Sequence, residues 1–171
     1  GGDEDAPVVG DEARQLGDGV LGAAPEGRRD GEPEVDRVVV AVTAGLVHTC
    51  ALQGSGEVTC WGSLPFLGAG AGVEDLDDDK QKALEENGVK VKGLKDAIQI
   101  AAAYGATCAL RKTGKVACWG NVGRSESDVE NEPAPVAVAG LDDAVEVVMN
   151  EGDINHTRGC AVRASGKLAC W

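Results

Sequence analysis

Six cysteines are the residues of this chain best suited to chemistry, because they occur as three pairs of identical spacing. The pairs are Cys50 with Cys60, Cys108 with Cys118, and Cys160 with Cys170. In each pair a glycine precedes the second cysteine by four positions and a tryptophan follows it directly; these residues are Gly56, Gly114 and Gly166, and Trp61, Trp119 and Trp171. This pattern predicts a β-hairpin that turns at the glycine, where a positive φ is needed. The two cysteines then face each other across the strands, within reach of a disulfide.

Two other roles for these cysteines stay open, although neither is favoured. A structural zinc site usually takes its thiolates from two Cys-x-x-Cys pairs, and the sequence contains no such pair. Free buried thiols are the second alternative. If the pairs are oxidised, we expect the protein to be extracellular, periplasmic or at the cell surface, because disulfides persist in oxidising compartments.

An acidic segment offers the one candidate metal site. Its carboxylates fall at positions one, three, five and twelve of a calcium-binding loop; they are Asp75, Asp77, Asp79 and Glu86. The sixth position of such a loop requires glycine, but Lys80 stands there. We therefore favour a short acidic surface helix that packs through Leu76, Ala83 and Leu84 and ends at Asn87-Gly88. Calcium binding is the weaker hypothesis.

The two histidines give little support for catalysis. His48 stands two residues before Cys50 at the start of an expected strand, which favours a structural hydrogen bond, and His156 lies in an enlarged loop of the third repeat. No serine or cysteine is arranged nearby as a nucleophile, and the glycine-rich phosphate-binding loops of nucleotide sites are absent from the sequence. The expectation is a protein that is not an enzyme and needs no cofactor.

Short strands must position these residues. Alternating apolar runs precede the three cysteine pairs, at residues 38–44, 97–102 and 144–149, and predict the first strand of each repeat. Aromatic residues make up only 3% of the chain while glycines number 25, which favours an all-β fold. The repeat units are approximately 1–61, 62–119 and 120–171. Each tryptophan points to the strand face opposite its neighbouring cysteine, so we expect it to pack between sheets.

Several repeated sequence motifs of the chain resemble the repeats of the regulator of chromosome condensation family. The resemblance rests on His48-Thr-Cys-Ala-Leu, on Gly-x-Val-x-Cys-Trp-Gly, and on the Val-x-Gly-Leu phrases that begin at Val91 and Val138. Gln15-Leu-Gly-Asp-Gly19 is similar to the segment that ends a blade in that family. The resemblance implies that residues 1–171 are a partial β-propeller of three consecutive blades, from a parent that has seven. The remaining blades would then be partners of this chain.

Two segments depart from the family pattern. Residues 63–95 carry Ser63-Leu-Pro-Phe-Leu-Gly68 in place of the usual Gly-Gln-Leu-Gly ending, together with the acidic helical insertion. Residues 150–158 contain about five extra residues in the third unit. We expect both to be loop insertions at remodelled blade edges.

Charge and hydropathy narrow the class of partner. The formal net charge of −13 has no compensating basic patch, so a nucleic-acid partner is not expected. No apolar run approaches the length of a membrane span. The leading hypothesis is a secreted or cell-surface repeat scaffold without catalysis, which binds a protein through residues 63–95, 121–135 and 150–158. The alternatives are a guanine-nucleotide exchange factor or chromatin regulator, as the family resemblance implies, and a propeller that inhibits an extracellular enzyme.

Overall fold

A computed structural model describes residues 38–73, 75–122, 131–150 and 157–171 of the chain. Within these ranges the dominant structure is antiparallel β-sheet. The strands in these ranges are β1 (Val39–Ala44), β2 (His48–Gln53), β3 (Val58–Gly62), β4 (Val89–Lys90), β5 (Ala97–Ala103), β6 (Ala106–Arg111), β7 (Val116–Asn121), β8 (Asn131–Ala137), β9 (Ala144–Asn150), β10 (Arg158–Arg163) and β11 (Leu168–Cys170). A 3₁₀ turn (Leu64–Phe66) and one α-helix, α1 (Asp78–Asn87), lie between β3 and β4.

The strands form three sheets, and in each one neighbours in sequence are neighbours in space. Blade 1 contains β1 to β4, blade 2 contains β5 to β8, and blade 3 contains β9 to β11. The alternating apolar runs form the first strands β1, β5 and β9, as predicted. The predicted repeat units end at the Cys-Trp phrases. In blades 1 and 2, however, the fourth strand comes after that phrase, so each blade extends past the end of its predicted unit.

The predicted hairpin register is present in all three blades. Cys50 lies opposite Cys60 with Leu52 opposite Val58, and the same pairing recurs between β6 and β7 and between β10 and β11. The three cysteine pairs are disulfides, with S–S distances of 2.10, 2.10 and 2.15 Å. The disulfide prediction is therefore confirmed.

The same turn closes each of these hairpins. In blade 1 the amide of Gly56 donates to the carbonyl oxygen of Gln53 at 2.9 Å, and the amide of Gln53 donates to Glu57 at 2.9 Å. The equivalent bonds recur at the other two hairpins. Gly56, Gly114 and Gly166 have φ values of 89°, 77° and 78°. Glycine is required there because L-residues rarely adopt this left-handed conformation.

Successive blades bury their faces against each other. β1 contacts β5, and β5 contacts β9, so the first strands converge along one edge, as the inner strands of a propeller do. The disulfide face of blade 1 packs against Ile100, Ala109 and Trp119 of blade 2, and Trp119 is 0% exposed. The second interface repeats this arrangement; it includes Cys108, Leu110, Val116, Cys118, Val147, Ala161 and Trp171. Tryptophan of one blade thus packs on the disulfide face of the blade before it.

The acidic helix forms where it was predicted, with one difference. Its N-cap Asp77 accepts a hydrogen bond from the amide of Lys80, and the amide of Gly88 donates to Leu84 to end the last turn. Leu84 packs against the blade 1 core, and Leu76 is half-buried. Ala83, however, is exposed, so its predicted packing is wrong. Ala83 precedes Leu84 by about 100° around the helix, which turns it towards solvent.

The inserted segments differ in how much of them the structure describes. Ala103 pairs with Ala106 in blade 2, whereas Asn150 pairs with Arg158 in blade 3. The link in blade 3 is therefore five residues longer, as the sequence indicated. Residues 151–156, including His156, and the phrase at residues 15–19 lie outside the described ranges.

Candidate interaction surface

His48 lies inside the first interface between blades and not in an open site. It is 4% exposed, and its Nε2 is 2.6 Å from the hydroxyl oxygen of Thr107 in blade 2. Its ring centroid is 6.2 Å from that of Phe66. Burial lowers the pKa of His48 to about 4, so the ring is neutral at physiological pH. The nearby Cys50 is held in its disulfide, and the contact joins two blades.

Protonation of His48 is expected to weaken the packing of blades 1 and 2. The unfolded chain takes up this proton near pH 6.5, and the folded chain only near pH 4. The contribution of neutral His48 to the free energy of unfolding is therefore complete above pH 6.5 and is lost as the pH falls towards 4. The free energy of unfolding should fall by about 2 kcal/mol between pH 7 and pH 5 for this reason. Urea unfolding of the wild type and of His48→Gln at both pH values measures it. The variant should show a smaller drop, whereas an equal drop would assign the effect to other groups.

Polar side chains also join the first strands, and sequence reasoning missed them. The hydroxyl of Thr43 accepts a hydrogen bond from the amide of Ala102 at 3.0 Å. The side-chain amide of Gln99 donates to the carbonyl oxygen of Val147 at 2.9 Å and accepts from its N–H at 3.0 Å. Thr43 and Gln99 occupy different positions of the repeat, so no shared motif revealed them. These bonds fix the relative placement of adjacent blades.

Blade 2 and blade 3 each contain an equivalent ion pair within the blade. The residues that form it stand at repeated positions of the sequence. Arg111 lies 2.7 Å from Asp96, and Arg163 lies 2.7 Å from Asp143. Both aspartates directly precede the first strand of their blade, in the phrases that share Val-x-Gly-Leu. The ion pair joins the residue just before the first strand of the blade to the last residue of its second strand. Blade 1 has Gln53 at the position of these arginines.

The carboxylates proposed for calcium do not converge. Asp77 caps the helix and binds Lys80, whose side-chain ammonium lies 2.7 Å from it; this hydrogen bond and one from the Lys80 main chain lower the pKa of Asp77. Asp79 and Glu86 are seven residues apart on α1, about 10 Å along its axis, too far to share an ion. Within the described ranges, no three acidic, histidine or cysteine side chains are grouped for a metal.

These carboxylates instead form an exposed acidic face on α1. The face consists of Asp78, Asp79 and Glu86 on the helix, the N-cap Asp77 and Asp75 just before it; all five are exposed, and Asp77 and Glu86 are paired with Lys80 and Lys82. The helix is anchored on blade 1, where Leu84 packs against the core and the carboxylate of Glu85 accepts a hydrogen bond from the amide of Leu64 at 3.2 Å. The acidic face is therefore held in a fixed position on the outer part of blade 1, because α1 also contacts β3.

The segment predicted as a loop at residues 121–135 is largely strand in its described part. Asn121 ends β7, and residues 131–135 belong to β8. Pro133 and Pro135 made a strand hard to predict, but β8 is the edge strand of its sheet. Proline is tolerated on an edge because no further strand needs its missing N–H. The helix of the described residues is not long and apolar enough to span a membrane.

Comparison with known proteins supports the propeller assignment through structure. Neither a family model nor a curated protein matches the chain by sequence. Human WBSCR16 matches with a TM-score of 0.59 and 19% identity, over 80% of this chain and 33% of that chain. Prp20p from Saccharomyces cerevisiae matches with a TM-score of 0.57 and 21% identity, over 78% and 32%. Yeast RCC1 (Prp20) in its complex with Kap60 gives 0.55 and 22%, over 77% and 29%.

The chain spans about a third of the length of these structures. Their similarity covers most of this chain and agrees with its succession of antiparallel sheets. The chain therefore folds as three consecutive blades of a β-propeller of the regulator of chromosome condensation type.

Proposed function

We propose that the chain is part of a protein-binding scaffold that acts outside the cell and binds a basic protein surface through the acidic face of α1. The observation that carries this proposal is a group of five exposed carboxylates on α1 and at its start, on a helix that is anchored to blade 1. Complementary charge raises association rates and excludes unsuitable partners. The net charge of −13 favours a basic partner in the same way.

The fold supports a binding role by analogy. Prp20p, which shares this fold, binds Gsp1p and histones. Yeast RCC1 (Prp20) has been crystallised in complex with Kap60. We take from these proteins only the use of a propeller to hold another protein. Function depends on sites and not on folds, so the acidic face is the basis of the proposal.

The cysteines support the proposed extracellular location. All six are disulfide-bonded within their own blades. Cytosolic reductants keep such cysteine pairs reduced, whereas secreted proteins retain their disulfides. A disulfide that closes a short hairpin stabilises the blade by about 2 to 3 kcal/mol, which is of use where a repeat has few aromatic residues.

Neutralising the acidic face is expected to abolish capture of the partner. The bait would be the full chain, as wild type and as Asp78→Asn/Asp79→Asn, which leaves the N-cap Asp77 in place. The matched control, Asp142→Asn/Glu146→Gln, removes two exposed carboxylates from blade 3 and its entry. Proteins from extracellular fluid that cross-link to each bait are quantified by mass spectrometry.

The proposal requires at least one basic protein that the wild type and the control bait enrich and that the helix variant does not, with enrichment that falls as salt rises. Circular dichroism should show the same fold for all three baits. Identical sets of captured proteins for the helix variant and the wild type would contradict a role for the acidic face.

A further inference from the structure

The strand ends that carry the hairpin turns form one continuous face across the three blades. In an antiparallel sheet the links alternate between the two ends of the strands, so the turns β2–β3, β6–β7 and β10–β11 share this side with the segments that enter β5 and β9. Hydrogen bonds join these segments: the amide of Ala97 donates to Gly56 at 3.1 Å, and the amide of Lys112 donates to Asp96 at 2.8 Å. Equivalent bonds join blade 2 to blade 3. We call this surface the turn face; it consists of residues 53–57, 92–96, 111–115, 139–143 and 163–167.

The turn face carries an excess of positive charge, although the chain as a whole has a net charge of −13. Its segments contain seven lysines and arginines against four carboxylates. All four carboxylates are in ion pairs: Glu57 with Lys90, Asp96 with Arg111, and both Asp142 and Asp143 with Arg163. Because these pairs use the two arginines of the face, its free positive charge comes from lysines.

The chain has eight lysines, and all of them lie in the described ranges. Three are in ion pairs; they are Lys80, Lys82 and Lys90. The other five have no ion-pair partner within the described ranges, and every one of them is exposed and belongs to the turn face; they are Lys92, Lys95, Lys112, Lys115 and Lys167. These lysines are separated in the sequence, and the fold places them on one side of the blades.

Blade 2 holds the centre of this positive surface. Lys112 and Lys115 belong to its turn, and Lys95 stands beside them in the segment to which the amide of Lys112 is bonded. The turn face around these three lysines, from blade 1 to blade 3, is described throughout. Lys115 is exposed although the next blade packs on its turn, where a Cβ added to Gly114 would lie 2.7 Å from the main-chain oxygen of Asp142. The lysines of blade 2 therefore stay accessible between two packed neighbours.

Two blades present the same combination of groups at their turns. Thr113-Gly-Lys115 in blade 2 corresponds to Ser165-Gly-Lys167 in blade 3, and the hydroxyl residue and the lysine are exposed in both. A hydroxyl donates a hydrogen bond and an ammonium group adds charge, so together they suit a sulfate or carboxylate group. Blade 1 differs, because Ser55-Gly-Glu57 places a carboxylate at this position. Blades 2 and 3 therefore suit a ligand whose anionic groups recur along its length.

The remaining residues of the turn face favour a polysaccharide over a protein or a nucleic acid. Protein interfaces depend on large apolar or aromatic anchors, but Leu94 and Leu141 are buried and the exposed residues of the face are small or charged. Its segments contain no aromatic residue that could stack on a base. Sugar hydroxyls between the anionic groups can instead form hydrogen bonds with Thr113 and Ser165.

We propose that the turn face of blades 2 and 3 binds an anionic polysaccharide, which carries sulfate or carboxylate groups at intervals along its chain. The ammonium groups of Lys95, Lys112 and Lys115 bind anionic groups on blade 2, and Lys167 binds a further group on blade 3. The site is separate from the acidic face of α1, because α1 links β3 to β4 at the opposite ends of the strands. Polysaccharide binding therefore does not depend on the proposed protein partner.

Titration of dextran sulfate oligosaccharides into the full chain tests this proposal. Calorimetry should show saturable binding that weakens as salt rises, whereas neutral dextran of the same length should not bind. Lys112→Gln/Lys115→Gln should weaken binding about tenfold, since each ammonium group that contacts an anionic polymer adds to the affinity and to its salt dependence. The matched control, Lys80→Gln/Lys82→Gln, removes two exposed lysines from α1 and should leave binding unchanged.

Two further polyanions decide the class of ligand. Duplex DNA and polyglutamate are titrated into the same chains, and we expect both to bind more weakly than dextran sulfate. The proposal is overturned if dextran sulfate does not bind saturably, if neutral dextran binds as tightly, or if Lys112→Gln/Lys115→Gln binds no more weakly than the α1 control. Tighter binding of DNA or of polyglutamate would also overturn it, and would assign the turn face to a nucleic acid or to an acidic protein segment. Circular dichroism should show the same fold for all chains.

Discussion

Trp119→Ala is expected to lower the free energy of unfolding by about 3 to 5 kcal/mol, the range measured when large aromatic side chains are removed from cores. Trp119 is 0% exposed and packs between the disulfide face of blade 1 and its own sheet. Removal leaves a large void at the junction of two blades, and the surrounding strands are held by their ladders and disulfides, which limits collapse into the void. Urea unfolding under oxidising conditions measures the loss.

Trp171→Ala is the matched control for this prediction. Trp171 occupies the same repeat position, but it is only half-buried and lines an apolar cavity together with Cys118 and Val136. Its truncation should therefore cost clearly less than that of Trp119. Leu168→Ala should have almost no effect, because Leu168 is 72% exposed while its counterparts Val58 and Val116 are buried. Equal losses for the two tryptophans would contradict the packing of blade on blade.

Gly120→Ala is expected to cost about 3 kcal/mol or more, by combining backbone strain with a steric collision. Gly120 has a φ of 81°, and a Cβ there would collide with the carbonyl oxygen of Gly105. That oxygen cannot move freely, because it accepts a hydrogen bond from the amide of Asn121 at 2.9 Å. Gly120 also pairs with Glu132 across β7 and β8, so a shift would disturb the outer edge of blade 2.

Gly140→Ala separates the two causes. Gly140 has a φ of 71°, but nothing lies within 4 Å of the position that its Cβ would take. The control should therefore show the strain alone, about 1 to 2 kcal/mol. Thermal unfolding of both variants provides the comparison, and we expect the melting temperature of Gly120→Ala to be clearly the lower. Similar melting temperatures would show that the close approach of Gly105 is not a constraint.

The hairpins could be predicted because their determinants are local. The spacing of Cys50, Gly56 and Cys60 fixes both the turn and the register, since residues across a tight hairpin are paired by simple counting. Tryptophan placement followed from the alternation of strand faces. The α1 segment was predicted from its acidic start and its glycine end, although the exact apolar side was misjudged at Ala83.

Contacts between blades could not be read from the sequence in the same way. Thr43 and Gln99 make their hydrogen bonds only because two separate sheets bring distant main-chain groups to them. The strand at residues 131–137 was hidden by its prolines, which are unfavourable in a sheet interior but acceptable at the edge where β8 lies.

Disulfide mapping of the native chain tests most directly whether the chain consists of three separately bridged blades. Cleavage after Glu57, Arg111 and Arg163 separates the two cysteines of every pair, so mass spectrometry without reduction identifies each partner. The structure predicts three linked peptide pairs, joining Cys50 to Cys60, Cys108 to Cys118, and Cys160 to Cys170. A link between cysteines of different blades, or free thiols at these positions, would contradict it.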